Sequence, residues 1–236
     1  MKRKLFRPEC LTCNIRCSSI FDNLETDDLY DININKEVIN AHKGQMIFHE
    51  GGQPRGVYVV YSGKAKIHKL GDNDKEQITR LAKPGDLLGY RALISGDNYS
   101  ASATTIEESV ICFIPKTKLF EILKVNLVLT MKLMKLLCDD LATAENRIVN
   151  MVQKPVRSRV AEALLILKDT YGTEEDGKTL NVIMTREDTA NFVGTSTETV
   201  IRILSDFKSQ GYITQENKKI TCIDIPSLEK ESLLNT

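Results

Sequence analysis

The hydrophobic pattern changes period near residue 116, and that change limits the chain to few architectures. Before it, from Val38 to Pro115, short alternating segments recur: Met46–Phe48, Val57–Tyr61, Lys64–Lys69, Gln77–Leu81 and Ser109–Ile114. Glycines punctuate them, among them Gly44, Gly51, Gly63, Gly85, Gly89 and Gly96. Many short strands with glycine turns predict a β-barrel or sandwich. After the change, from Thr117 to Val152, residues step by four and three: Leu127, Met131, Met134, Cys138, Leu141, Glu145, Ile148 and Val152. This heptad seam predicts a long helix paired with a second copy of itself. A helix of that length seldom finds enough apolar cover within one small domain. Glu145 interrupts the seam, where a polar group sets register at a cost in stability. Cys138 reads as a packing residue.

Lys154-Pro155 ends the long helix and makes a hinge, because proline lacks the N–H and restricts its predecessor. A second amphipathic helix is predicted over Arg157–Thr170, with Val160, Ala163, Leu164 and Leu167 on its apolar face. An acidic loop, Tyr171–Lys178, and a short strand, Leu180–Ile183, follow. Two short helices with a tight turn come next. Thr185 is placed to cap the first, with Asp188 three residues on, and Gly194 supplies the left-handed turn. Thr195 then caps the second, and Glu198 completes a capping box. Val200, Ile203, Leu204 and Phe207 share one face of that helix. Ser196, Thr197, Glu198, Ile201, Arg202 and Ser205 are left outward. This is a helix-turn-helix pattern, and its second helix has the width of a DNA major groove. Strands at Tyr212–Thr214 and Ile220–Ile223, with Gln215–Lys219 turning between them, add a wing.

At 236 residues the chain holds two modest domains with cores of their own. A formal net charge of zero and 42% hydrophobic residues exclude disorder, and no run reaches the length of a spanning helix. The N-terminus is basic but lacks the apolar region of a secretory signal, so the expected location is the cytoplasm. From Lys154 onward there are 11 Lys+Arg against 13 Asp+Glu, without the basic excess usual for DNA binding. Positive surface must come from local arrangement of Arg157, Arg159, Arg186, Arg202, Lys208, Lys218 and Lys219.

In a cytoplasmic chain six cysteines read as thiols or metal ligands rather than disulfides. Cys10, Cys13 and Cys17, with the distant Cys112, make a four-thiolate set. It suits an iron–sulfur cluster, a zinc site or redox-active thiols. Cys222 reads as packing in the wing. No hydrolase motif, Walker loop or nucleophile elbow is present, and His42, His49 and His68 suggest surface or turn roles. The chain is therefore not read as an enzyme.

The order of barrel, long helix, hinge and winged helix resembles the Crp–Fnr family of bacterial transcription regulators, over about residues 10–225. The segment His49–Lys69 is similar to the family's cyclic-nucleotide-binding-type β-roll, Lys83–Leu93 to its ligand-pocket segment, and Thr195–Leu204 to its recognition helix. The resemblance implies an α+β fold: a Cys-containing segment at 1–24, a β-roll sensor at 25–116, a dimerisation helix at 117–153 and a winged helix-turn-helix at 154–236. It implies a homodimer that binds a palindromic site on double-stranded DNA, acts with RNA polymerase as activator or repressor, and spans no membrane. The family's base-reading Glu and Arg match Glu198 and Arg202. Arg186, Ser196, Thr197, Ile201, Lys218 and Lys219 complete the expected DNA surface, with Ile201 departing from the family's small residue. The effector pocket would comprise Gly89, Tyr90, Arg91, Tyr99 and Ser100. Tyrosines stand there in place of the Glu and Arg that hold cyclic AMP in the family, so cyclic AMP is not the expected ligand. The oxygen-sensing branch carries a [4Fe–4S] cluster on an N-terminal cysteine group and a Cys before Ile-Pro. Here those are Cys10, Cys13, Cys17 and Cys112, with a second gap of three residues instead of five. Two alternatives stay open: a regulator sensing a small molecule in the roll without a cluster, and a ligand-binding module acting through protein contacts.

Overall fold

The computed structural model describes residues 7–71 and 75–233. The chain divides into two compact units, Met1–Lys69 with Arg80–Leu141, and Leu70–Thr79 with Ala142–Thr236.

The first unit opens with a 3₁₀ turn at Arg16–Ser18 and helix α1 (Thr26–Asn35). Asp27 and Asp28 sit in the first turn of α1, where the helix dipole favours negative charge. The roll then runs through β1 (Glu37–Ala41), β2 (Met46–Phe48), β3 (Gly56–Ser62), β4 (Ala65–Leu70), β5 (Glu76–Ala82), β6 (Leu87–Leu88), α2 (Tyr90–Ser95), β7 (Ser102–Thr105) and β8 (Ser109–Pro115). Two antiparallel sheets form, in the orders β1-β8-β3-β6 and β2-β7-β4-β5. Strand β8 lies between β1 and β3 and places Cys112 opposite both Val38 and Val59. Only glycine fits at 56, since a Cβ there would stand 2.2 Å from the Ile114 carbonyl oxygen. Val60, Ala65, Ala82, Leu88, Ala103 and Ile111 fill the roll. A second core joins Phe21, Leu24 and Leu29 to Leu119, Ile122, Leu129 and Leu133. It fastens the segment after the first cysteines against the helices behind the roll.

The predicted single helix over 117–153 is two helices, α3 (Lys116–Val125) and α4 (Leu127–Gln153). Asn126 breaks them apart: its backbone is extended (φ −102°, ψ 91°), and its Oδ1 accepts the Leu129 N–H at 2.9 Å. Asn is a preferred helix cap for this reason, and apolar periodicity runs across such a break without registering it. No helix among the described residues is long and apolar enough to cross a membrane.

The second unit contains α5 (Val156–Tyr171), α6 (Arg186–Val193), α7 (Thr197–Ser209), the hairpin β9 (Ile213–Glu216) and β10 (Lys219–Cys222), and α8 (Ile225–Ser232). Pro155 (φ −55°) caps α5, as a proline at a helix start should. The strand predicted at Leu180–Ile183 does not form. Leu180 and Val182 are buried in alternation, but the segment finds only isolated bridges, Thr173 with Leu180 and Thr179 with Thr221. Cys222 is buried in the wing, as expected. His68 is also buried, with Nε2 3.0 Å from Thr104 Oγ1, rather than at the surface.

Candidate nucleic-acid interface and thiol site

Helix α6 begins where the sequence indicates. Thr185 Oγ1 accepts the Asp188 N–H at 2.9 Å, and Gly194 closes the helix in the left-handed region (φ +76°). The cap of α7 is Ser196 rather than Thr195. Thr195 still belongs to the turn, because its N–H donates to the Ala190 carbonyl at 3.1 Å. Ser196 is extended and its Oγ accepts the Thr199 N–H at 3.2 Å, so no capping box closes between Thr195 and Glu198. The Glu198 carboxyl is held below the usual range by its own backbone N–H and by the Ser196 hydroxyl. It is therefore an anionic acceptor near neutral pH.

Val200, Ile203, Leu204 and Phe207 are all buried, which fixes the rotation of α7. Ser196, Glu198, Ile201, Arg202 and Ser205 are exposed, and Thr197 is half-buried. Arg202 makes no hydrogen bond or ion pair among the described residues. Ile201 is 50% exposed, an apolar side chain held in solvent beside the Glu198–Arg202 pair.

The wing turn is shorter than the sequence suggests. Asn217 (φ 47°) and Lys218 (φ 71°) form a two-residue turn with both residues left-handed, the turn type that matches strand twist. Lys218 is exposed at its tip. Lys219 instead pairs with Glu174, and Arg186 donates to Gln215 Oε1 at 2.7 Å. Two further cations have structural posts. Arg157 pairs with Glu231 at 2.9 Å and lies over the Phe207 ring, while Arg159 donates to the Met151 carbonyl at 2.8 Å. The sequence could not separate these committed cations from free ones, because the difference lies in tertiary partners.

Of the predicted effector residues, Tyr99 lies against Gly89, which is left-handed at the start of α2. Tyr90 is buried, and its hydroxyl donates to Asp140, which also pairs with Arg80 at 3.3 Å. Tyr99 is buried and stacks on Phe48 with centroids 4.2 Å apart. Its hydroxyl faces Tyr58 without closing a hydrogen bond of good geometry, and burial raises both phenols above their usual range. Arg91 and Ser100 are exposed. Two buried aromatic rings, those of Tyr90 and Tyr99, thus stand at the positions where the expected pocket would carry its charged groups.

On α4 the predicted seam is open. Leu127, Met131, Met134, Leu141, Ile148 and Val152 are each more than half exposed, and Cys138 and Glu145 are exposed beside them. Leu129 and Leu133 face the core instead. A row of large apolar side chains in water is a surface awaiting a partner.

Cys10, Cys13 and Cys112 line one cavity of about 60 Å³, together with Lys36, Phe21, Leu29 and Ile114. Burial pushes the Cys112 thiol up to about 11, against the opposing pull of Lys36. Cys17, on the 3₁₀ turn, is exposed and stands outside the lining. As placed, no three His, Cys, Asp or Glu side chains among the described residues surround one metal position. The donor set suits a thiolate-ligated group in kind, with soft sulfur, an apolar wall and two cationic side chains, Lys36 and Arg16. The space suits about two waters.

The roll matches the cyclic nucleotide-binding domain over residues 38–126, and the second unit matches the Crp-like helix-turn-helix domain over residues 158–231. The protein is thus a winged helix-turn-helix regulator joined to a cyclic-nucleotide-binding-type roll. It is 27% identical over 217 residues to the CRP-like cAMP-activated global transcriptional regulator of Mycobacterium tuberculosis, covering 91% of this chain and 96% of the relative. It is 28% identical over 219 residues to the fumarate and nitrate reduction regulatory protein of Vibrio cholerae, covering 91% and 86%. FixK2 from Bradyrhizobium japonicum shares the fold, with a TM-score of 0.77, 23% identity and coverage of 85% and 99%. A CRP/FNR-family regulator from Thermus thermophilus superposes with a TM-score of 0.70, at 26% identity and coverage of 85% and 100%. The chain belongs to the Crp–Fnr family of DNA-binding transcription regulators.

Proposed function

We propose that the protein is a homodimer that reads a palindromic promoter site through α7, under the control of oxygen or redox state at Cys10, Cys13, Cys17 and Cys112. One observation carries the DNA reading. The helix buries one complete face and leaves Glu198, Ile201 and Arg202 together on the other. Glu198 accepts from cytosine N4, Arg202 donates twice to guanine O6 and N7, and Ile201 touches a thymine methyl. Ser196, Thr197, Arg186, Lys218 and Lys219 contribute contacts to the phosphates. Pairing two copies along the α4 seam gives two-fold symmetry, and so a palindromic site with half-sites one turn apart. RNA polymerase is the partner through which occupancy becomes activation or repression.

The sensing half draws support from relatives named as anaerobic regulators, such as the one of Haemophilus influenzae. Within the chain it draws on the three thiols that share a cavity. When bound, a [4Fe–4S] group would supply reactivity toward oxygen and nitric oxide. The chain's own residues relay its presence. Phe21 and Leu24 pack with Leu129 and Leu133, so a shift of the cysteine segment is felt on α4. A changed α4 surface alters pairing, and pairing sets DNA affinity.

Mobility shift on a palindromic site, with protein purified under anoxia and after air exposure, tests both halves. Iron and sulfide bound per chain should track with DNA retention. Colourless, iron-free protein under strict anoxia would leave the DNA reading standing and remove the cluster.

A further inference from the structure

A second cavity lies wholly within the second unit, with a volume of about 190 Å³. The C-terminal half of α4 contributes Arg147 and Asn150 to its wall, α5 contributes Arg159 and Glu162, and the end of α6 contributes Phe192 and Val193. Helix positions advance by about 100°, which puts Arg147 and Asn150 on the far side of α4 from Glu145, Ile148 and Val152. The seam therefore does not run across the cavity. Both arginines donate to backbone carbonyls. Arg147 reaches those of Thr79, of Ile78 at 3.3 Å and of Phe192 at 3.0 Å. Arg159 reaches those of Met151 at 2.8 Å, Lys154 at 3.2 Å and Gly194 at 3.3 Å. Neither has a carboxylate within ion-pair distance among the described residues. Arg159 Nε is buried with no hydrogen-bond partner, and native folds seldom keep such a donor idle. The Glu162 carboxylate is already engaged, since its Oε1 accepts from Asn150 Nδ2 at 2.8 Å and from Lys154 Nζ at 3.0 Å.

Carbonyl oxygens satisfy hydrogen bonding but not charge. Glu162 offsets Lys154, which leaves two guanidiniums in the wall without a counter-anion. Burial draws Arg147 below the usual guanidinium range, and the field of Glu162 opposes this without pairing with it. We propose that this cavity binds a small organic monoanion, a carboxylate on an apolar body, with Arg147 and Arg159 as its anion contacts. A guanidinium offers a carboxylate two parallel N–H donors. Phe192, Val193 and Ala163 supply the apolar wall such a body needs. Glu162 in the same wall disfavours a dianion such as phosphate. Because Arg147 and Arg159 also hold the Phe192 and Gly194 carbonyls, an occupant bears on the mounting of α6 in the helix-turn-helix. The site uses none of the cysteines and stands whether or not they hold a metal.

The test uses full-length protein with para-fluorobenzoate as the probe, read by fluorine NMR line broadening, which detects binding into the millimolar range. Its neutral counterpart of the same size, para-fluorobenzamide, should bind about tenfold more weakly, the scale of one charge-assisted hydrogen bond lost. Arg159→Met, which removes the charge at similar length, should weaken the benzoate by about the same factor. Asn146 is an exposed α4 residue on the cavity wall. Asn146→Trp should block the cavity and abolish binding with both arginines intact. Inorganic phosphate should not displace the probe. Equal binding of benzoate and benzamide, no benzoate binding at millimolar concentration, or wild-type affinity in Asn146→Trp would each overturn the site. Displacement by phosphate would overturn the monoanion class. Circular dichroism checks folding, and should Arg159→Met not fold, the benzamide comparison and Asn146→Trp decide the matter between them.

Discussion

The carboxylate of Asp22 pairs with the ammonium of Lys132, joining the end of the cysteine segment to α4. Both side chains are about one-third exposed, so the pair itself contributes little, on the order of 0.5 kcal/mol. Its value is positional, since it lies beside the Phe21–Leu129 packing. Lys132→Ala should move the urea midpoint only slightly. Amide exchange at Ile20–Asp22 should nevertheless rise clearly. Unchanged exchange there would separate the segment from α4.

Arg202→Ala should weaken binding to the preferred site by about 1–3 kcal/mol, roughly 5- to 150-fold, and flatten discrimination at one base pair. Fluorescence anisotropy against a panel of single-base variants reads both. Equal affinity across the panel for wild type and variant alike would remove Arg202 from base reading.

The open α4 seam predicts the assembly state. Leu141 and Ile148 are 61% and 64% exposed in the single chain. Placing aspartate at both should halve the mass seen by light scattering without lowering helix content. A wild type that is already monomeric would show that this face has another use.

Burial raises the Cys112 thiol to about 11, so at pH 8 it stays protonated in metal-free protein. The thiolate is the nucleophile, so iodoacetamide should modify exposed Cys17 well before Cys112. Raising the pH toward 11 should narrow that gap, as the Cys112 proton is lost. Peptide mass mapping over time measures the order.

Much of this molecule could be read from residue pattern alone. The alternation in β3 and β8, the glycine turns, and the buried face of α7 all follow from side-chain period, which is local. Strand β7, Ser102–Thr105, could not be found that way, because its residues are small and mostly polar, with only Ala103 in the core. Asn126 was hidden for the opposite reason, since the apolar repeat continues on both sides of it. The exposed trio on α7 was legible because it is the complement of a buried one. The placement of Lys36 was not, since nothing in its neighbours along the chain signals a thiol 26 positions away.

The pairing of Lys219 with Glu174 changes what a salt titration of DNA binding should report. A free cation arriving at the duplex displaces a condensed sodium or potassium ion, and each such event steepens the dependence on ionic strength by about one unit. Lys218 can act in that way. Lys219 must first leave its carboxylate, so its arrival is an exchange of partners within the complex. The slope should therefore count fewer phosphates than the wing touches, and Glu174→Gln should steepen it.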